Sequence, residues 1–150
     1  MWIDRRNAKL CWTWSQYKQD ALRFAKACQQ LQVRERASVA IMGVNSPEWA
    51  IAFIGGILNN NLSTGIYKTN SPDACLYQVQ HSEAELVVVE SNADLKRFTV
   101  KLDQYDSVRA FVVWDENQLP EDIVKSGDSR FYLWKDFMQL GQQAGGIRDE

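Results

Sequence analysis

Tyr17, Ala21, Phe24, Cys28 and Leu31 recur at steps of three and four, with Lys18, Gln19, Arg23, Lys26 and Gln30 between them. That spacing puts one apolar stripe on a helix over about Ser15–Gln32. Thr13, followed three residues later by Gln16, suits a capping box at its start. Before it, Trp2–Arg5 and Leu10–Trp14 read as two strands of a hairpin turning at Arg6–Lys9 around Asn7.

From Ser38 onward the pattern changes to short, solidly apolar runs separated by helical stretches. Ser38–Val44, Thr64–Tyr67, Glu85–Glu90 and Val108–Trp114 read as strands. Pro47–Asn60, Ser71–His81 and Asn92–Leu102 read as the helices between them. Strands apolar on both faces, alternating with helices, predict a layered α/β fold. Its sheet is mostly parallel, helices cover both faces, and the hairpin precedes it. The helix at Pro47 is apolar nearly all round and should be buried on most sides. Gly55 and Gly56 inside it cost helix propensity, which predicts a close backbone contact there. Residues 115–128 are polar, with one Pro and one Gly, and read as a surface loop. Phe131–Leu133 and Lys135–Gln143 complete the series as a strand and a helix.

Composition narrows the classes. At 150 residues the chain has the size of one domain. A net charge of −2 without a long basic run argues against a nucleic-acid partner. Cys11, Cys28 and Cys75 lack close spacing, which argues against a disulfide framework and for a reducing, cytoplasmic setting. The longest apolar run, Trp49–Leu58, is far short of the roughly 20 residues a bilayer requires.

Asn-Ser-Pro followed by an acid occurs twice, at Asn45–Glu48 and Asn70–Asp73. Ser46 and Ser71 stand where an N-cap belongs, Pro47 and Pro72 at the first helical position, and Glu48 and Asp73 in the first turn. The competing reading, two halves of a phosphate site, is weakened because proline removes a donor and the acid repels an anion. Cys75 precedes His81 by six residues, about 240° round a helix, so the two do not form a dyad on a regular helix. Glu83, Glu85 and Glu90 bracket a strand and read as solvated. Neither Gly55-Gly56 nor Gly145-Gly146 belongs to a nucleotide-binding glycine motif, and no residues have metal-ligand spacing. The pattern alone therefore names no catalytic, cofactor-binding or metal residue.

Six segments together carry a resemblance: "WTWSQY" (Trp12–Tyr17), "VAIMGVNSPEW" (Val39–Trp49), "TGIYKTNSPDACLY" (Thr64–Tyr77), "ELVVVE" (Glu85–Glu90), "VRAFVVW" (Val108–Trp114) and "WKDFMQLG" (Trp134–Gly141). In this order they resemble the amino-terminal part of acyl-adenylate-forming enzymes of the AMP-binding superfamily, in particular bubblegum-type long-chain fatty acid–CoA ligases. The resemblance implies that residues 1–150 are an incomplete portion of the larger adenylate-forming N-terminal domain. It implies a reaction in which fatty acid and ATP give an acyl-adenylate and pyrophosphate, and CoA then displaces AMP. ATP, Mg2+ and CoA are thus implied for the intact enzyme, with the remainder of the polypeptide as partner. The family's phosphate loop, its adenine and ribose motifs and its catalytic lysine have no matching positions here, so no catalytic or ATP-binding residue is carried over. "NNNL" at Asn59–Leu62 stands where the family tends to have small residues, which predicts looser packing of the next strand.

The leading expectation is an enzyme fragment, inactive alone, cytoplasmic and at most peripheral to membranes. Such a fragment should expose an apolar face or strand edge and should not change its melting temperature with ATP or fatty acid. The alternative is a non-catalytic α/β binding or scaffold module. An unrelated nucleotide-binding domain is weakened by the missing glycine fingerprint.

Overall fold

The computed structural model describes residues 2–3 and 11–143, with side chains from residue 12 onward. Strand β1 (Trp2–Ile3) pairs antiparallel with β2 (Cys11–Trp12), Trp2 opposite Trp12 and Ile3 opposite Cys11. The expected turn at Arg6–Lys9 lies outside the described residues.

Helix α1 (Trp14–Gln30) starts on the capping box read from the sequence: Thr13 accepts from the Gln16 backbone N–H, and the Gln16 side chain accepts from that of Thr13. Five strands then form one sheet: β3 (Ser38–Met42), β4 (Leu62–Ile66), β5 (Ala84–Val89), β6 (Ala110–Val113) and β7 (Phe131–Leu133). Their order is β4-β3-β5-β6-β7, and every neighbouring pair is parallel. The chain thus steps outward from β3 to β4, then returns past β3 to β5. That reversal divides the helices between the two faces.

On one face α1, α2 (Pro47–Leu58) and α6 (Trp134–Gln143) enclose Phe24, Val39, Ile41, Ile51, Leu86, Val88 and Phe137. On the other, α3 (Pro72–His81), α4 (Asn92–Thr99) and α5 (Glu121–Ser126) enclose Met42, Val79, Val87, Val89, Phe98, Phe111 and Ile123. Successive residues of β3 and β5 therefore point into opposite cores. Two filled faces are why these strands read as unbroken apolar runs rather than alternating ones.

Glycine sets how closely α1 is held. A Cβ on Gly55 of α2 would lie 2.7 Å from the Phe24 side chain, and one on Gly141 of α6 would lie 1.9 Å from the Arg23 carbonyl oxygen. The close contact expected for Gly55-Gly56 is thus present, against α1 and against Val39 of β3.

Three expectations are corrected. Residues 115–128 are not all loop. Pro120 precedes α5, Glu121 and Asp122 occupy its first turn, buried Ile123 anchors it, and Gly127 ends it at φ 68. Second, the three asparagines do not loosen β4. Asn59 and Asn61 are buried, the Asn59 amide donates to Asn61 Oδ1 (2.8 Å), and the Asn61 amide donates to the Arg34 carbonyl (2.7 Å). Side-chain bonds fasten the turn that a smaller residue would only fill.

The third concerns two of the glutamates read as solvated: Glu90, its side chain 13% exposed, is ion-paired with Lys68 (2.6 Å), and Glu85 is more buried still, at 3% exposed. It accepts from the Arg34 backbone N–H (2.9 Å), from the Arg34 guanidinium, and from Arg109 Nε (2.9 Å). Burial pushes its carboxyl up, but these donors together outweigh burial and hold it below its ordinary value.

Candidate functional site

In doubly wound sheets ligands bind beyond the carboxyl ends of the strands, where the strand order reverses. Here that point lies between β3 and β5, with the end of β4 alongside. Each strand is followed there by a residue that closes the crevice: Gly43 after β3, Lys68 two residues after β4, and Glu90 after β5.

Lys68 Nζ lies 2.6 Å from Glu90 Oε2 and 3.1 Å from Asp94 Oδ2. Glu90 Oε2 also accepts from the Val44 backbone N–H at 3.1 Å, so one carboxylate ties the ends of β3 and β4 to β5. Asp94 is fixed by the start of α4. Its backbone N–H donates to the Ser91 Oγ cap (3.2 Å), and the Ser91 hydroxyl donates to Asp94 Oδ2 (2.9 Å). The hydrogen bond to Glu90 holds the Lys68 ammonium above its ordinary value. Burial opposes this and Asp94 adds to it. A lysine already shared by two carboxylates has little charge left to offer a phosphate.

Beside this clamp, on the α2 face, Ile41, Gly43, Asn45, Trp49, Gly65, Ile66 and Tyr67 line a cleft of about 270 Å³. Trp49 stacks on Phe53 with ring centroids 5.4 Å apart. The indole of Trp114, at the end of β6, fills the space over Gly43, and its Nε1 is buried without a hydrogen-bond partner among the described residues. A larger groove, about 710 Å³, runs between α4 and α5, lined by residues including Leu95, Lys96, Val100, Ile123 and Ser126.

Both Asn-Ser-Pro stretches form helix caps. Ser46 accepts from the Trp49 backbone N–H and Ser71 from that of Ala74, each at 3.2 Å. Pro47 and Pro72 hold the first helical position, and Glu48 and Asp73 the first turn. The donors and the positive dipole end that an anion would use are already engaged. Cys75 is buried among apolar side chains, which pushes its thiol up, while His81 stacks on Tyr77 with centroids 5.4 Å apart. The two face different surroundings, as their spacing on α3 predicts. Among the described residues no group of three or more His, Cys, Asp and Glu is placed to hold a metal ion.

The Lys68–Glu90–Asp94 clamp was not legible from composition or motif. Its one signal is position, since Lys68 and Glu90 each stand just beyond the carboxyl end of a strand and Asp94 follows in the first turn of α4.

Residues 6–140 match the family described as AMP-binding enzyme. Among similar proteins, the Xenopus laevis long-chain-fatty-acid–CoA ligase ACSBG2 is 35% identical over 130 residues, 87% of this chain and 17% of that protein. The Homo sapiens long-chain-fatty-acid–CoA ligase ACSBG1 is 32% identical over 131 residues, again 87% of this chain and 17% of the relative. Among solved structures, the anthranilate CoA ligase AuaEII in complex with anthranoyl-AMP superposes on 83% of the chain with a TM-score of 0.71 at 18% identity, covering 22% of that structure. The benzoate CoA ligase of Burkholderia xenovorans LB400 superposes on 95% with a TM-score of 0.69 at 20% identity, covering 24% of that structure. The chain thus spans less than a quarter of the length of each.

Proposed function

The chain belongs to the AMP-binding enzyme family, and from that premise we propose that it is the α/β portion of a bubblegum-type long-chain fatty acid–CoA ligase, inactive by itself. In the intact protein, fatty acid and ATP give an acyl-adenylate and pyrophosphate, and CoA takes the acyl group to its thiol and releases AMP. ATP with Mg2+, CoA, a long-chain fatty acid and the rest of the polypeptide are the partners. The setting is cytoplasmic, peripheral to membranes at most; among the described residues no helix is long and apolar enough to cross one.

The observation that carries this reading is the 35% identity to the frog ligase sustained across 87% of the chain. The polar groups at the strand ends and helix starts are already engaged, which supports this reading. Lys68 is shared by Glu90 and Asp94, and the starts of α2 and α3 are closed by Ser, Pro and an acid. The phosphate-holding groups and the catalytic residues therefore belong, in this reading, to the part of the ligases that this chain does not match.

The test is fatty acid-dependent release of pyrophosphate, with acyl-CoA formation, by the full-length gene product. Release that requires both fatty acid and ATP is expected. A full-length product that binds neither would leave the non-catalytic α/β module as the better account.

A further inference from the structure

Helix α2 lacks the polar side that a surface helix needs. Ile51, Ala52, Gly55 and Gly56 face the core and Trp49 and Phe53 pack against it only in part, yet the outer side carries Ala50, Ile54, Ile57 and Leu58. No charged residue occurs between Trp49 and Leu58. On α1, by contrast, the outward positions are Lys18, Gln19, Lys26 and Gln30. Ile57 and Leu58 are 50% and 49% exposed. A helix apolar on both sides belongs inside a larger body.

The neighbouring strand has the same character. β4 is one edge of the sheet, pairs among the described residues only with β3, and carries no charge or proline over Leu62–Ile66. Edge strands in natural proteins are ordinarily protected by such residues or covered. Leu62 and Tyr67, at its two ends, are both well exposed. Gly65 stands between them, and a Cβ there would meet nothing within 4 Å. No neighbour within the described fold requires glycine at this position. A strand glycine without such a reason marks a close approach by another backbone or a ligand. The cleft beside Trp49 opens onto the same surface.

We propose that the outer side of α2, the free edge of β4 and the cleft between them form one docking surface, occupied by the remainder of the AMP-binding domain in the intact protein. The inference rests on the family reading above. It adds which face is covered: an apolar helix or strand of the remainder packs on Trp49, Phe53 and Ile57, and its backbone passes close to Gly65. Two observations favour this occupant over a lipid surface or a second copy. The matched relatives and structures each carry more than three quarters of their length outside the region they share with this chain. The surface also has no basic residue over Trp49–Leu58 or Leu62–Tyr67, and the chain's net charge is −2, so nothing there recruits an anionic membrane.

The test uses the full-length gene product with Ile57→Cys, compared with Val124→Cys on exposed α5, each treated with a maleimide under native conditions. Modification at position 57 should be at least about tenfold slower than at 124, and the difference should vanish in denaturant. Backbone amides of residues 62–67 should exchange slowly in the unmodified protein, a readout that needs no substitution. Equal modification rates at 57 and 124 would overturn the proposal. So would protection of 57 that disappears on dilution as an oligomer dissociates, because the cover would then be a second copy. Pyrophosphate release measured on the same samples reports separately on the ligase reading, so either conclusion can fail while the other stands.

Discussion

Gly43 and Trp114 meet where the sheet's carboxyl ends converge: a Cβ on Gly43 would lie 2.3 Å from Cη2 and 2.4 Å from Cζ2 of the indole. The same Cβ would come within 2.9 Å of Glu90 Cβ, so an added methyl would be wedged between the ring and the Glu90 side chain just beyond β5. Gly43→Ala should therefore push β3, β5 and the Trp114 ring apart and cost about 1–3 kcal/mol. Trp114→Phe, which removes the clashing ring atoms, should make the two changes less costly together than the sum of each alone. Urea denaturation of the four variants of the cycle measures this; strict additivity would show that the two residues do not press on each other.

Gly141→Ala should be more damaging, because the atom it would strike is the Arg23 backbone oxygen rather than a side chain. The carbonyl cannot rotate away without breaking its turn of α1, so α6 must move as a body. A loss of about 3 kcal/mol or more is expected. Gly127→Ala provides the contrast: its Cβ meets nothing, but its φ of 68 lies in the left-handed region. That change should cost only about 1 kcal/mol. Equal losses in thermal unfolding at the two positions would contradict the packing argument.

Ser46→Ala and Ser71→Ala should each cost about 1 kcal/mol, since each removes a single acceptor from a helix start. The caps serve different helices, on opposite faces of the sheet, so the double variant should lose close to the sum. A double loss well below that sum would mean the two stretches act as one site after all.

The elements were legible where local chemistry decides them. Thr13 and Gln16 mark the start of α1, Ser-Pro-acid marks α2 and α3, and the run from Glu85 to Glu90 marks β5, because each rule acts within a few residues. The strand order was not legible, since nothing in Ser38–Met42 says that Leu62 and Ala84 will lie on opposite sides of it. Helix α5 was hidden in a polar stretch with one buried residue, Ile123, too few for a periodicity. Glu85 was misread for the same reason that Lys68 went unnoticed. Its partner Arg109 is 24 residues away and Arg34 51, so only the folded sheet brings a neutralising charge to it. The docking face was half legible: a helix apolar all round was visible in Pro47–Leu58, but not that one of its sides would remain uncovered.

Glu85 yields a pH dependence with a definite sign. Its folded carboxyl is held below the ordinary value of 4.5, burial being outweighed by the Arg34 backbone N–H and the guanidinium groups of Arg34 and Arg109. A lowered value in the folded state means the unfolded chain binds the proton more readily, so stability from this group is complete above about pH 5. It is lost as pH falls below the unfolded value and on through the folded one. Glu85→Gln keeps the shape and removes the charge, and should cost about 1–3 kcal/mol at neutral pH. The guanidinium groups are 60% and 40% exposed, so the lower end of that range is expected, with some relief in high salt. The gap between the parent protein and the variant should stay flat from pH 7 to about 5 and narrow steadily below it. Asp128, likewise held low by Arg130, is present in both and cancels from the difference. Urea midpoints across pH 7 to 3 provide the measurement. A gap that persists undiminished at the acid end would show that Glu85 stabilises the fold by its shape and not by its charge.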